Sequence, residues 1–307
     1  MDIKKYQGVI PAFYACYDEK GNISPEAVEK YTEWLVEKGV KGIYVGGSSG
    51  ECIYQGVEER KITLESAMKV AKGRITVIAH VACNNTRDSM ELAAHAESLG
   101  VDAIAAIPPI YFKLPDHAIA KYWNDISSAA PNTDFIIYNI PQLAGTALTL
   151  PLLREMLKNP RVIGVKNSSL PAMDIQKFKY EGTLGGREFV VFNGPDEQFV
   201  SGIAIGADGG IGGTYSVMPE LYVKLLEMIR NGEREKACAL QHDLCNIIYK
   251  LCSGEGNMYA LIKEVLRRRE GLNVGGVRPP LTEVTEADDP IVNEAAAMID
   301  AAVKKYL

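Results

Sequence analysis

Eight short apolar segments, each followed by an amphipathic stretch with helical periodicity, succeed one another along most of the chain. The segments are continuously apolar rather than alternating, which is typical of parallel strands covered on both faces. They span residues 9–13, 42–45, 75–81, 103–107, 135–140, 162–165, 189–192 and 209–211. The helices that follow them span residues 25–38, 57–72, 87–99, 115–129, 150–158, 172–180, 197–205 and 219–230. Eight strand–helix units predict an α/β fold, a (β/α)8 TIM barrel.

An open, doubly wound sheet is the second architecture compatible with this alternation. Such a sheet usually carries a glycine-rich dinucleotide-binding turn after its first strand. Here that place holds Pro11, Ala12, Phe13 and Tyr14, none of which is glycine. The barrel is therefore the favoured architecture.

The strand pattern stops after about Gly232, and three amphipathic helices remain. They are predicted over residues 233–251, 258–269 and 290–306, with a loop over residues 272–287 that glycines and prolines interrupt. We therefore expect a catalytic barrel over residues 1–231 and a C-terminal three-helix extension over residues 232–307.

Charge and hydropathy exclude several classes of partner. The chain of 307 residues has a net charge of −6 and an isoelectric point near 5.4, so it has no basic surplus for nucleic acid or an anionic membrane. No apolar stretch follows the first lysines as in a signal peptide, and no run approaches the roughly 18 apolar residues that span a bilayer. We expect a cytoplasmic protein that contacts neither nucleic acid nor membrane.

The cysteines and histidines do not have the spacing of a metal site. Cys238, Cys245 and Cys252 recur every seventh residue and so lie along one stripe of a helix. Helical metal ligands usually stand three or four residues apart, and free cysteine packs as a small hydrophobic side chain. We expect this stripe to be buried and the protein to hold no metal.

A lysine and a tyrosine stand at the ends of two successive apolar strands. Lys166 follows residues 162–165, and Tyr138 follows residues 135–137. Desolvation between apolar strands lowers the pKa of an amine, and a neutral amine attacks a carbonyl to form an imine. A phenol beside it can relay a proton. The alternative is a strand-end lysine that reaches solvent, as most lysines do.

Strand two leads into a glycine- and serine-rich turn, residues 46–51. Its amide groups and the hydroxyls of Ser48 and Ser49 can bind an anion. The turn lacks the lysine and the spacing of a nucleotide-binding loop, and a tight turn that binds nothing is the alternative. Together with Lys166 it predicts a small-molecule 2-keto acid substrate, bound by its carboxylate and held covalently as an imine, with no other cofactor.

The runs GGSSGE (46–51), YNIP (138–141), GVKNSS (164–169) and GADGGIGGTY (206–215) resemble the pyruvate-dependent class I aldolase superfamily of N-acetylneuraminate lyase and dihydrodipicolinate synthase. The resemblance extends from residues 18–21 to residues 277–281. It implies a barrel with a helical extension, usually a homotetramer, and Schiff-base chemistry at Lys166. It also implies carboxylate binding by Ser48 and Ser49, proton relay by Tyr138, and a Tyr111 that enters a neighbouring subunit's site.

Two segments favour the lyase branch of that superfamily. Synthases carry an arginine shortly after strand five that binds a second carboxylate, and this chain has Leu143 there. Residues 193–197, which include Gly194, Asp196 and Glu197, resemble the lyase pattern, whose carboxylates accept hydrogen bonds from a polyol. Ser168 stands where lyases often have threonine. The resemblance therefore implies cleavage of a 2-keto-3-deoxy sugar acid, with N-acetylneuraminate as the first candidate.

One position departs from the lyase pattern. Gly213 stands where lyases commonly have a serine that touches the sugar chain. Another pyruvate-dependent aldolase or hydratase acting on a related sugar acid thus stays open, with dihydrodipicolinate synthase less favoured. A barrel that binds a metabolite without catalysis is the alternative of a different class.

Overall fold

The computed structural model describes residues 3–307 as a ring of parallel strands surrounded by helices. The strands are β1 (Val9–Pro11), β2 (Gly42–Val45), β3 (Thr76–His80), β4 (Ala103–Ala106), β5 (Asp134–Asn139), β6 (Val162–Asn167), β7 (Val190–Asn193) and β8 (Gly209–Gly212). The α-helices are α1 (Pro25–Glu37), α2 (Val57–Ala71), α3 (Thr86–Leu99), α4 (Asp116–Ala129), α5 (Pro141–Ala144), α6 (Leu150–Met156), α7 (Met173–Thr183), α8 (Phe199–Ala204), α9 (Pro219–Arg230), α10 (Arg234–Leu251), α11 (Met258–Glu270) and α12 (Asp289–Tyr306). Each predicted strand and helix is present, and α5 is the α-helix that the periodicity did not predict.

The strands close into a barrel. Their order is β1-β8-β7-β6-β5-β4-β3-β2, and each hydrogen-bonded pair is parallel. A parallel bridge between Ala12 and Tyr44 joins the two ends of this order, and the Phe13 N–H donates to the Tyr44 carbonyl at 2.9 Å. The expected TIM barrel is confirmed, and the open sheet is excluded.

Alternation along the strands places the two key side chains inside the barrel. In β6, Ile163 belongs to the apolar cluster within the barrel, whereas Val165 packs in the larger cluster beneath the helices. Because successive side chains point to opposite faces, Lys166, the residue after the outward-facing Val165, points inward. A register shift between β5 and β6 earlier in the strand accounts for Ile163, three residues away, sharing that inner face. Tyr138 of β5 belongs to the inner cluster and is paired in register with Lys166. The strand pattern therefore places an amine and a phenol side by side within the barrel mouth.

The three helices α10, α11 and α12 form the predicted C-terminal extension. They pack on one another, and α10 and α12 also pack against α9. The Glu233 N–H donates to the Met228 carbonyl at 2.9 Å, so the last barrel helix passes directly into the extension. The boundary between residues 231 and 232 stays a prediction, and the first two residues of the predicted barrel lie outside the described part.

The expected burial of the cysteine stripe is wrong. Cys238 and Cys252 are exposed, and Cys245 is half-buried. The stripe that α10 buries lies one residue earlier and has the same spacing of seven, since Ala237, Leu244 and Leu251 face the core. The larger aliphatic side chains at and between these positions determine which face of α10 is covered.

Within residues 3–307, no helix has the length and apolar character needed to cross a membrane. Nor does any group of three or more histidine, cysteine, aspartate or glutamate side chains in that range have an arrangement that could hold a metal ion.

Candidate active site

A cavity of about 350 Å³ opens at the carboxyl ends of the strands. Nine of the ten site residues predicted from the sequence line it: Ser48, Ser49, Tyr138, Lys166, Ser168, Gly194, Asp196, Glu197 and Gly213. These residues come from the ends of β2, β5, β6, β7 and β8, the barrel face on which TIM-barrel chemistry takes place.

Lys166 lies at the base of this cavity and is only 4% exposed. Its Nζ lies 3.9 Å from the centroid of the Tyr138 ring and 4.3 Å from that of Tyr44. Burial lowers the pKa of Lys166 to about 7, against the opposing influence of Asp196 and Cys52. A large share of the amine is therefore neutral at neutral pH, the form that attacks a carbonyl.

Tyr138 presents a protonated phenol beside this amine. Burial raises the pKa of Tyr138 to about 12, although hydrogen bonds with Ser48 and Ser168 act in the opposite direction. The phenol is therefore linked to two hydroxyls that line the same cavity. Such a chain of hydroxyls can move a proton across the mouth of the barrel.

An aromatic group fixes the Tyr138 ring. The rings of Tyr44 and His80 meet it edge to face, with centroids 5.8 Å and 6.0 Å away. Burial, and then the charge of Arg60, holds the pKa of His80 well below its ordinary value, so His80 is neutral. Its Nδ1 lies 2.8 Å from the carbonyl of Gly46, which connects the Tyr138 ring to the serine turn.

The serine turn, residues 46–51, offers hydroxyls rather than a full row of amides. The N–H groups of Gly50 and Glu51 donate to the carbonyls of Gly47 and Ser48 at 3.0 Å and 2.9 Å, so these amides close the turn. The hydroxyl of Ser49 donates to the phenol oxygen of Tyr259 at 3.2 Å. The amides of Gly50 and Glu51 are thus engaged within the turn, whereas binding of an anion by the amides and hydroxyls of Ser48 and Ser49 stays a prediction, and both serines line the cavity together with Lys166.

Asp196 is buried in the wall of the cavity, in a 3-10 helix that follows β7. Its Oδ2 accepts hydrogen bonds from the backbone N–H of Thr214 at 2.7 Å and from the Thr214 hydroxyl at 2.5 Å. Burial raises the pKa of Asp196 to about 6 in spite of these bonds. The carboxylate is therefore largely ionised at neutral pH and attracts the Lys166 ammonium.

Glycines let the strand ends approach one another closely. A Cβ on Gly194 would lie 2.0 Å from the Ser168 hydroxyl, and one on Gly212 would lie 2.0 Å from Asp196 Oδ1. A Cβ on Gly213 would come no nearer than 3.3 Å to the Ser49 hydroxyl. The first two glycines are required by packing, whereas a Cβ on Gly213 would make one tight contact, with the side-chain hydroxyl of Ser49.

Tyr111, the tenth predicted residue, does not line the cavity. It lies on the loop after β4, is 91% exposed and has a φ of 82°. Its ring packs edge to face on the exposed ring of Phe112, with centroids 5.0 Å apart. Within a single chain, the structure thus separates Tyr111 from the other predicted residues.

Several residues of the cavity wall were not predicted. Thr214 follows β8 within the GADGGIGGTY run, and its hydroxyl donates a hydrogen bond that orients Asp196. Met258 and Tyr259 come from α11, and Ile248 and Cys252 come from α10 or its end. Those helical positions carry no strand-end signal, and only the packing of the extension onto the barrel reveals them.

Comparison with known proteins agrees with this geometry. Residues 5–299 match the model of the dihydrodipicolinate synthetase family. An N-acetylneuraminate lyase of Mediterraneibacter gnavus is 65% identical over 306 residues, covering 100% of this chain and 96% of that protein, and one of Salmonella agona is 32% identical, covering 96% and 98%. The solved structure of a catalytic lysine mutant of Ruminococcus gnavus sialic acid aldolase superimposes with a TM-score of 0.97 at 64% identity, covering 100% of this chain and 99% of that one. The chain therefore belongs to the dihydrodipicolinate synthetase family.

Proposed function

We propose that this protein is an N-acetylneuraminate lyase, a class I aldolase that splits N-acetylneuraminate into N-acetylmannosamine and pyruvate. The observation that carries the proposal is the buried amine of Lys166, whose pKa is lowered to about 7 and which lies in the same cavity as the serine turn. The lyase from Mediterraneibacter gnavus, 65% identical over the full chain, supports the choice of substrate.

The first step is imine formation on Lys166. The substrate carboxylate is held by the hydroxyls of Ser48 and Ser49, which directs its ketone toward Nζ. The neutral amine adds to the ketone carbon, and the adduct takes up a proton and loses water, which leaves a protonated imine. Because a carbon–nitrogen double bond with a positive charge attracts electrons, the bond between the α and β carbons is weakened.

The second step is bond cleavage with proton relay through Tyr138. The β-hydroxyl gives up its proton as the α–β bond breaks, the aldehyde leaves, and the electron pair is retained as an enamine on Lys166. Since the Tyr138 phenol is protonated, it must pass its own proton onward as it accepts this one, and Ser48 is a neighbour able to carry it. Protonation of the enamine and hydrolysis then release pyruvate and restore the amine.

The remaining wall residues select the sugar chain. Asp196 and Glu197 present carboxylates that accept hydrogen bonds from hydroxyls, and Ser168 adds a hydroxyl near the imine. At the rim stands Leu143, 66% exposed, which cannot pair with a second carboxylate. This wall suits an uncharged polyol better than the semialdehyde of an amino acid.

A second candidate substrate is a different 2-keto-3-deoxy sugar acid. The observation that favours it is Gly213, which lines the cavity and supplies no hydroxyl there. A substrate lacking the matching hydroxyl would lose nothing there, whereas N-acetylneuraminate would forgo a contact worth about 0.5–1.5 kcal/mol.

Cofactor requirement, oligomeric state and cellular location are further parts of the proposed function. The imine on Lys166 supplies the electron sink, so the reaction needs no cofactor or metal. We propose a homotetramer in which Tyr111 of one chain enters the site of a neighbour, since its exposed ring and left-handed backbone leave it available. A cytoplasmic location stays a prediction.

Borohydride reduction in the presence of pyruvate tests the imine. We expect intact-mass measurement to show one covalent pyruvate adduct per chain, absent in Lys166→Ala. The exposed Lys158, paired with Glu155, gives a matched control, since Lys158→Ala should keep the adduct. An unmodified wild-type chain, or an adduct that survives in Lys166→Ala, would favour the non-catalytic metabolite-binding alternative.

A panel of substrates tests the specificity. Pyruvate release, coupled to lactate dehydrogenase, should be faster with N-acetylneuraminate than with other 2-keto-3-deoxy sugar acids, and no condensation with aspartate semialdehyde should occur. Release from another sugar acid together with silence on N-acetylneuraminate would establish the second candidate instead.

A further inference from the structure

One face of α11 reaches the serine turn at two points. Tyr259 and Lys263 lie four residues apart and so on the same side of this helix. The Tyr259 phenol oxygen accepts the hydrogen bond of Ser49 at 3.2 Å, and the Lys263 ammonium lies 2.8 Å from the carboxylate of Glu51. One stretch of α11 therefore contacts both Ser49, which faces the ligand, and Glu51, the last residue of the serine turn.

Glu51 holds the turn in an unusual conformation. Its φ of 56° and ψ of 33° lie in the left-handed region, which residues other than glycine seldom adopt. Its N–H donates to the Ser48 carbonyl, and its carbonyl accepts from the Tyr54 N–H. The path of the backbone through Ser48 and Ser49 thus depends on how firmly Glu51 is held.

The Glu51 side chain is held from several directions and has no access to solvent. Besides Lys263, its carboxylate accepts hydrogen bonds from the Tyr17 hydroxyl at 3.1 Å and from the Arg278 N–H at 2.8 Å. Lys263 also donates to the Gly276 carbonyl at 2.6 Å. Burying such a pair stabilises a fold little compared with apolar packing, but the pair imposes a single geometry.

Tyr259 can hydrogen-bond to Ser49 both before and after a carboxylate binds. A serine hydroxyl donates one hydrogen bond and accepts others, and its proton rotates toward the stronger acceptor. When a carboxylate arrives, the Ser49 proton turns to it, and the Tyr259 phenol can then donate to Ser49 and strengthen that bond. Tyr259 thereby acts through Ser49.

We propose that α11 positions the carboxylate-binding turn, with Tyr259 orienting the Ser49 hydroxyl and Lys263 fixing the backbone through Glu51. This inference rests on the proposed function, because it assigns the carboxylate of a 2-keto acid to Ser48 and Ser49. It makes the C-terminal extension a part of the substrate site, and Tyr259 and Lys263 positioning residues.

The first test measures the pyruvate concentration that half-saturates borohydride trapping in wild type and in Tyr259→Phe. We expect loss of the hydroxyl to raise that concentration about tenfold, with the kcat for N-acetylneuraminate cleavage within about twofold of wild type. The matched control is Tyr122→Phe, since the buried Tyr122 hydroxyl bonds to the Cys83 carbonyl instead, and it should leave both quantities unchanged.

The outcomes separate the two proposals. A wild-type chain that traps no pyruvate overturns the proposed function and this inference with it. Normal trapping with an unshifted Tyr259→Phe overturns the inference alone. An unshifted half-saturation with a reduced kcat also overturns it, because Tyr259 would then take part in the chemistry.

The second test removes the ion pair without leaving a lone buried charge. The double variant Glu51→Gln/Lys263→Met should keep its melting temperature within a few degrees of wild type. The pyruvate concentration that half-saturates its trapping should rise about tenfold or more. Lys250→Met/Glu294→Gln, which removes a partly exposed pair elsewhere in the extension, should change neither. Wild-type half-saturation in a folded Glu51→Gln/Lys263→Met protein contradicts the proposal, and if that protein does not fold, Tyr259→Phe alone decides.

Discussion

The Lys166 amine is buried against two phenol rings, where water cannot solvate its charged form. Burial lowers its pKa to about 7, and the Asp196 carboxylate partly restores the charged form. The pKa of the nucleophile is therefore set by a balance between desolvation, which lowers it, and neighbouring acidic groups, Asp196 first, which raise it.

The pH dependence of imine formation follows from this balance. Because the neutral amine is the reactive form, the rate of pyruvate trapping should rise with pH through a midpoint near 7 and then level off. Asp196→Asn removes the negative charge that raises the Lys166 pKa, so its midpoint should move to lower pH. Pyruvate trapping rates measured from about pH 5 to pH 9 check both curves. A flat wild-type profile, or a midpoint that moves to higher pH in Asp196→Asn, would contradict this account.

Sequence reasoning was most successful for residues at strand ends. Lys166 and Tyr138 could be predicted because an uninterrupted apolar run marks where a strand ends, and the carboxyl ends of the strands of a barrel meet at one face. Tyr259 could not be predicted, because it reaches the site from the first turn of a helix 210 residues beyond its partner Ser49. No local pattern encodes a contact that depends on how the extension packs against the barrel.

Among the elements, the segment after β8 contains the one position, Gly213, at which we found a departure from the lyase pattern. Gly213 has φ −70° and ψ −43°, which any residue can adopt, and a Cβ there would stand 3.3 Å from the Ser49 hydroxyl. Side chains are therefore excluded neither by the backbone nor by a severe clash.

Gly213→Ser should raise kcat/KM for N-acetylneuraminate about three- to tenfold relative to a sugar acid without the matching hydroxyl. The added hydroxyl can bind the sugar chain, and Gly213→Ala supplies the Cβ without that hydroxyl. The coupled pyruvate assay with both substrates measures the ratio. Equal ratios in the serine and alanine variants would show that the hydroxyl makes no contact.

Helix α10 shows what periodicity can and cannot predict. The spacing of seven between Cys238, Cys245 and Cys252 correctly indicates one stripe of a helix. It does not determine which stripe is buried, and Leu244 and Leu251, each one residue before a cysteine, occupy the covered face. Composition over the whole helix, rather than the spacing of one residue type, was the better guide.

At the scale of the whole molecule, the exposed pair Tyr111 and Phe112 is the feature that a single chain does not explain. Both rings lie on the surface, 91% and 73% exposed. Aromatic side chains of this size on a loop with a left-handed residue are suited to insertion into a neighbouring chain.

We expect light scattering after size exclusion to give the mass of a homotetramer. Tyr111→Ala should lower kcat by about tenfold or more while its melting temperature stays close to that of wild type, because the side chain has little packing to lose within its own chain. The equally aromatic and exposed Tyr180, at 69%, provides the control, and Tyr180→Ala should be fully active. A monomer with normal activity would contradict the proposed exchange.

The contacts from α11 to the serine turn also have a consequence for biosynthesis. Ser49 and Tyr259 are separated by 210 residues and Glu51 and Lys263 by 212, so the ribosome releases the two halves of each contact far apart in time. At a translation rate of about 5–20 residues per second, α11 is synthesised about ten seconds or more after the serine turn. A nascent chain therefore contains Lys166 and Tyr138 well before α11 can position the serine turn. We expect it to bind a keto acid with full affinity only when the last quarter of the chain has emerged.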